Sequence, residues 1–233
     1  MSGSFNSSPR VCGRRSAHRR ALAIGPAAAR MWTILKEAMA STGSFPAVVD
    51  LLPAPGEWTE AEYNPFSEQG RLVELSDRNL EVLDPPGDVH QLILLRRSFA
   101  LHAFVTANKL GRVCFAPLPI RLWSGKVREP DLMFMSAAHT SRIGNYWGVP
   151  DLAVEILSPG TAHKDREIKR REYAKAGVVE YWIIDPEVLV IDVKRDSGGD
   201  DYAFTQRFAD SDVLTSELLS GFAMPLTELF AEA

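Results

Sequence analysis

The stretch from Asp151 to Pro186 constrains the fold more than any other part of the chain. Asp151-Leu-Ala-Val-Glu-Ile-Leu157 is a mostly apolar run of strand length, broken at once by Ser158-Pro-Gly160. A charged segment with a helical pattern follows from about Ala162 to Ala176 and stops at Gly177. Val179-Glu-Tyr-Trp-Ile-Ile184 is a second buried-looking strand, closed by Asp185-Pro186. Such a strand–helix–strand unit belongs to an α/β domain, with its apolar strands inside a sheet rather than at an edge.

The flanking segments extend that sheet. Arg71 to Leu75 and Leu80 to Leu83, separated by Ser76-Asp-Arg-Asn79, read as a hairpin, preceded by a short helix at Trp58 to Tyr63 with Thr59 near its cap. A long helix is predicted from about Val89 to Lys109, with Gly111 as its stop. Strand-like runs follow at Val113–Phe115, Ile120–Trp123 and Asp131–Met135, then a loop or short helix from Ser136 to Val149. Val188–Val193 and Tyr202–Phe208 form a second hairpin, and a short strand and helix lie between Leu218 and Phe230. The expectation is one α/β domain over residues 58–233, with a mixed central sheet flanked by helices and hairpins towards both ends.

Residues 1–57 stand apart. The first 30 hold six arginines and no acid, and residues 41–57 hold three prolines. An Arg- and Ser-rich segment fits a targeting peptide, and the Arg14-Arg15 and Arg19-Arg20 pairs fit a twin-arginine signal; Ala21–Ala29 is too short and too weakly apolar for a signal core. A disordered basic tail, or a true start at Met31, is the reading favoured. With those six arginines set aside, 20 basic residues face 30 acidic ones, a net charge of −10. So acidic a body is not a non-specific DNA coat, which needs clustered Lys and Arg. No apolar run approaches the roughly 20 residues of a membrane span, and Cys12 and Cys114 follow no ligand spacing, so a cytoplasmic protein with neither disulfide scaffold nor zinc ribbon is expected.

Two acids carry the chemistry. Asp131 follows Pro130 at the start of a strand. Glu155 sits mid-strand, and the two-residue period puts it on one face with Ala153 and Leu157, opposite Leu152, Val154 and Ile156. A carboxylate there is costly to bury unless paired, protonated or bound to metal; the bland alternative is an edge strand with Glu155 in water. On the helix, Asp165, Lys169 and Tyr173 share a face at four-residue intervals. On spacing alone Lys169 reads as a solvated charge among Arg166, Arg170 and Arg171.

Taken together, Pro130-Asp131, Asp151 to Pro159, Lys169, Tyr173 and Gly177-Val-Val-Glu-Tyr-Trp-Ile-Ile-Asp-Pro186 resemble the bacterial Uma-two family of restriction-endonuclease-like proteins, within the PD-(D/E)xK nuclease superfamily. Trp58-Thr59, Tyr63, Arg71 to Ser76 and His90 match it upstream, so the resemblance runs from about Trp58 to Phe230. It implies a restriction-endonuclease-like core, with Asp131 and Glu155 as metal-binding acids. The superfamily lysine belongs two residues after the second acid, where this chain has Leu157; the resemblance displaces it to Lys169, with Lys164 in reserve. Glu74, His90 and Tyr173 enter as accessory residues. In an α-helix Lys164 lies about 140° from Lys169, off the same face.

The expected function is then Mg²⁺-dependent endonucleolytic hydrolysis of DNA, with Mn²⁺ as a substitute ion. Two carboxylates suit a cation that keeps most of its waters, and a cation lets an acidic body meet a polyanion. The rival is a catalytically inactive nuclease-fold module for DNA or protein binding, which the departure at Leu157 favours. A homodimer is plausible for double-strand cleavage, with Tyr146, Trp147 and Trp182 as interface candidates, although burial suits Trp182 better.

Overall fold

A computed structural model describes residues 52–144 and 146–231; the expected extension lies outside the described residues as far as Leu51. Helix α1 (Glu60–Glu68) starts at Thr59, whose backbone N–H donates to the Glu62 carboxylate at 2.8 Å. Strands β1 (Val73–Ser76) and β2 (Asn79–Val82) form the expected hairpin. Its two turn residues, Asp77 and Arg78, both have positive φ, 50° and 63°, matching a two-residue turn whose twist suits the strands. The resulting register places Glu74 opposite Glu81.

Helix α2 (Asp88–Ala107) ends at Asn108 rather than Gly111. Gly111 instead opens strand β3 (Gly111–Phe115) at φ 152°, where a Cβ would lie 2.0 Å from the Met135 carbonyl oxygen. The glycine therefore serves strand contact, not helix termination. Strands β4 (Ile120–Trp123), β5 (Lys126–Arg128) and β6 (Leu132–Ser136) follow, then a 3₁₀ turn at Ala137–Arg142 and strand β7 (Leu152–Ile156).

The charged helix has two parts: a π-helical turn over Lys164–Lys169 and helix α3 (Arg170–Ala176), closed by Gly177 at φ 90°. Strands β8 (Glu180–Asp185), β9 (Val190–Ser197), β10 (Tyr202–Ala209), β11 (Val213–Thr215) and β12 (Ala223–Pro225) precede helix α4 (Leu226–Phe230).

The central sheet is mixed, in the order β10-β9-β8-β7-β6-β3, with β7 and β8 parallel and the other neighbours antiparallel. Strand β7 is thus interior, and the edge-strand alternative for Glu155 does not hold. Its two faces separate as the period demands: Leu152, Val154 and Ile156 join a core with Ile93 and Leu101 of α2, while Ala153 and Leu157 pack with Tyr173 and Ala174 of α3. Trp182 is fully buried in the first core and Trp147 nearly so in the second, so packing within one chain occupies both; the Tyr146 hydroxyl donates to Glu60 at 3.2 Å. Large residues in such positions contribute about 1.5–3 kcal/mol each through burial.

A second, antiparallel sheet runs β2-β1-β5-β4 over a smaller core of Trp58, Tyr63, Val73, Leu75 and Val127. Strand β5 was not expected from its composition. Val127 faces that core while Lys126 and Arg128, on the other face, are buried at 2% and 0% exposure.

Candidate active site

The antiparallel register of β6 and β7 pairs Leu132 with Val154; continued by one residue, it sets Asp131 beside Glu155. The chain locks that arrangement: the Ile156 backbone N–H donates to Asp131 Oδ2 at 2.7 Å, and His90 Nε2 from α2 lies 3.1 Å from the same oxygen. Pro130 and the bond from Ala116 N–H to the Asp131 carbonyl, at 3.0 Å, hold the start of β6 in place.

Glu155 is met from the helix side. Lys169 Nζ donates to Glu155 Oε1 at 2.8 Å, and the Tyr173 hydroxyl donates to the same oxygen at 2.7 Å. Lys169 also lies 3.3 Å from Glu74 Oε1 and 3.3 Å from Asp165 Oδ1. Its reading as a solvated charge is therefore corrected: carboxylates from β1, β7 and its own helix surround it, and it is almost wholly buried. The expected separation of Lys164 from Lys169 fails as well. In a π turn the hydrogen bonds run i→i+5, so residues five apart stack instead of diverging, and Lys164 Nζ reaches Glu74 Oε2 at 2.5 Å.

A buried ionic cluster backs this group. Arg128 Nη1 donates to Glu74 Oε2 at 2.9 Å and to Glu81 Oε2 at 3.1 Å, while its Nε and Nη2 fork onto Glu172 at 2.7 and 2.9 Å. Lys126 reaches Glu172 at 2.8 Å and Ser76 at 2.9 Å. The Glu129 backbone N–H donates to Glu74 Oε1 at 3.0 Å, and Glu81, Lys126, Arg128, Glu129 and Glu172 all escaped the sequence reading. Counting outward from the Asp77-Arg78 turn would have found Glu81 as the partner of Glu74. The alternation Lys126-Val127-Arg128 between Gly125 and Pro130 was the signal for the inward charges.

The electrostatics follow from burial and crowding. Burial, reinforced by Asp165, Asp131 and Glu74, pushes the Glu155 carboxyl well above its ordinary range despite Lys169. Burial alone would depress Lys169, but the carboxylates of Glu155, Glu74 and Asp165 overcome it and hold the ammonium charged. Glu74 is likewise desolvated, yet Lys169, Arg128 and Lys164 keep it below the usual carboxylate range. Burial and the nearby Glu74 push Glu129 up to about 7. The cluster thus holds more negative charge than its own cations neutralise.

A divalent ion fits that imbalance. Asp131 and Glu155 are the neighbouring acids that could hold such an ion, with water completing its shell; among the described residues no three His, Cys, Asp or Glu side chains form a metal-binding group. Oε1 of Glu155 is engaged by Lys169 and Tyr173, and Oδ2 of Asp131 by Ile156 and His90. Both acids line a cavity of about 560 Å³ together with Glu81, Lys164 and Lys169.

Comparison with known proteins shows the family and the fold. The profile of the Uma2 family, described as "Putative restriction endonuclease", matches residues 59–227. A crystal structure of a putative nuclease belonging to DUF820 from Anabaena variabilis ATCC 29413 shares the fold, with a TM-score of 0.62 at 19% identity, covering 74% of this chain and 97% of that one. No curated protein matches the chain. Among the described residues no helix is long and apolar enough to cross a membrane.

Proposed function

Because the chain belongs to the Uma2 family, we propose that it is a divalent-metal-dependent endonuclease that hydrolyses phosphodiester bonds in DNA by a PD-(D/E)xK-type mechanism. The observation that carries this reading is the meeting of Asp131, Glu155 and Lys169: two acids side by side on adjacent strands, with an ammonium 2.8 Å from the second. Asp131 and Glu155 would hold Mg²⁺, or Mn²⁺ in its place. When bound, such an ion supplies Lewis acidity towards a phosphoryl oxygen and makes water a stronger acid.

The chain's own residues do the rest. Lys169 stays protonated and offers its charge to the phosphoryl oxygens as negative charge builds on them. Tyr173 fixes the orientation of the Glu155 carboxylate, and His90 fixes that of Asp131, so neither acid must reorganise during the reaction. Glu74 holds Lys169 from behind. Cleavage of both strands of a duplex would call for two copies of the chain.

A binding module without turnover is the second reading. It is favoured by the saturation of Lys169, whose ammonium already meets Glu155, Glu74 and Asp165. Incubation of supercoiled plasmid with the protein and Mg²⁺ or Mn²⁺ separates the two. Nicking or linearisation that stops with EDTA and with Asp131→Asn supports the enzyme, and intact plasmid alongside retained DNA binding supports the module.

A further inference from the structure

Glu74 and Glu81 are direct cross-strand partners in the β1–β2 hairpin. Like charges in that relation repel, and the pair persists because two cations lie between them. Arg128 Nη1 is 2.9 Å from Glu74 Oε2 and 3.1 Å from Glu81 Oε2, and Lys164 bonds the same two oxygens. The two acids differ in every other respect. Glu74 is fully buried and is also held by Lys169 and by the Glu129 backbone N–H at 3.0 Å. The Glu81 side chain is 35% exposed, has only Arg128 and Lys164 as hydrogen-bond partners among the described residues, and lines the cavity that contains Asp131 and Glu155. Glu74 and Glu172 hold Arg128 from within the cluster. Glu81 caps two donors that already have a buried counter-ion.

We propose that Lys164 and Arg128 form a phosphate seat beside the paired acids, and that the Glu81 carboxylate occupies this seat until a phosphate of the substrate displaces it. The proposal rests on the nuclease reading and names how that site takes its polyanion. A phosphodiester, like a carboxylate, shares one negative charge between two acceptor oxygens, and an ammonium and a guanidinium edge can engage either. Exchange leaves no buried cation unpaired, because one anion replaces another, and the freed Glu81 reaches water from a side chain already one-third exposed. Arg128 is buried and does not line the cavity, so a phosphate meets it only in the space that the Glu81 carboxylate vacates, whereas Lys164 lines the cavity directly. An internal competitor of this kind lowers the apparent affinity by the fraction of molecules in which the seat is open. A single phosphate must therefore compete with Glu81, whereas a polyanion tethered by neighbouring contacts does so at high effective concentration.

The test is binding of a fluorescein-labelled oligonucleotide in EDTA, so that cleavage plays no part, read by anisotropy. Glu81→Gln is expected to tighten binding by about tenfold, and Lys164→Gln in the Glu81→Gln background to abolish the gain. Glu217→Gln, which removes a 72%-exposed acid paired with Arg195, controls for net charge and is expected to change affinity little. An unchanged or weaker affinity in Glu81→Gln overturns the proposal. So does a gain equal to that of Glu217→Gln, or one that survives Lys164→Gln. If Glu81→Gln does not fold, as judged by circular dichroism, Glu81→Ser takes its place under the same criteria. If neither the wild type nor the variant binds the oligonucleotide, the nucleic-acid reading fails; calorimetry with inorganic pyrophosphate then decides the seat. Uptake by Glu81→Gln but not by Glu81→Gln/Lys164→Gln upholds it, and no uptake by either refutes it.

Discussion

Lys164 and Lys169 hold the two oxygens of a single carboxylate: Lys164 Nζ lies 2.5 Å from Glu74 Oε2, and Lys169 Nζ lies 3.3 Å from Glu74 Oε1. Five residues separate them, a spacing that an α-helix would spread over different faces. The π turn over Lys164–Lys169 closes that gap. The local cost of the wider turn is offset by two cations delivered to one buried acid, and through Lys169 to Glu155 as well.

The lysines are expected to fail in different ways. Lys169→Ala should lower single-turnover cleavage by about 10²-fold or more with little change in metal affinity, because its charge acts on the transition state. Lys169→Arg should not restore full activity, since a planar fork cannot replace a compact point charge between Glu155, Glu74 and Asp165. Lys164→Ala should act mainly on the concentration dependence, raising KM or Kd more than it lowers kcat. Equal and negligible effects of both alanine variants would remove the lysines from the chemistry.

Glu155→Gln and Asp131→Asn should each abolish Mn²⁺ binding measured by calorimetry. Their effects on stability should differ in pH dependence. The folded-state pKa of Glu155 is raised by burial, so the folded protein keeps a proton that the unfolded chain releases, and stability falls as pH rises above the ordinary carboxylate range. Glu155→Gln should flatten that fall in metal-free melts. A variant that is instead much less stable at every pH would make Glu155 chiefly an ion-pair partner of Lys169.

Much of this arrangement was legible before the structure, for identifiable reasons. Strands β7 and β8 are continuous apolar runs, and the two-residue period alone put Glu155 on the face of Ala153 and Leu157. Lys169 is a different case. Spacing read it as solvated, and only the family resemblance placed it at the site, because the acids that bury it come from strands distant in sequence. Strand β5 stayed hidden because Lys126 and Arg128 count as surface residues in any hydropathy pattern, whereas here both turn inward onto Glu172. The π turn leaves no composition signature, so the angular relation of Lys164 to Lys169 could not be read correctly from residue numbers.

We propose that the folded domain begins earlier than Trp58. Leu52 packs against the cluster of Trp58, Tyr63, Val73 and Leu75. A chain beginning at residue 52 should therefore melt with the full-length protein, while one beginning at residue 58 should lose about 1 kcal/mol, the scale of a partly buried aliphatic side chain. Denaturant titration of the two truncations decides this.

Arg97 offers a stability test remote from the paired acids. It is fully buried in α2 over the Trp182 ring, 4.8 Å from its centroid, and its Nε and Nη2 have no hydrogen-bond partner among the described residues. Burial alone depresses its pKa to about 9. A desolvated charge without a carboxylate is costlier than an apolar group of similar length. Arg97→Met should stabilise the fold by about 1–2 kcal/mol, raising Tm by several degrees, and a lower Tm would mean that the stacking on Trp182 outweighs the desolvation.

Glu129 gives the clearest pH signature. Burial, with Glu74 adding to it and Lys169 opposing, raises its pKa to about 7, and Oε2 is buried without a partner among the described residues. A carboxyl raised in the folded state binds a proton that the unfolded chain has lost above about pH 4.5. Its cost is therefore absent at low pH, grows between about pH 4.5 and 7, and is fully present above that window. Glu129→Gln removes the ionisable group while keeping its shape. The variant should match the wild type near pH 4.5 and exceed it by roughly 3 kcal/mol at pH 8 in EDTA, a difference set by the shift between the two states. Urea denaturation at the two pH values measures it; a gap that is constant across pH would show that Glu129 does not titrate in this range.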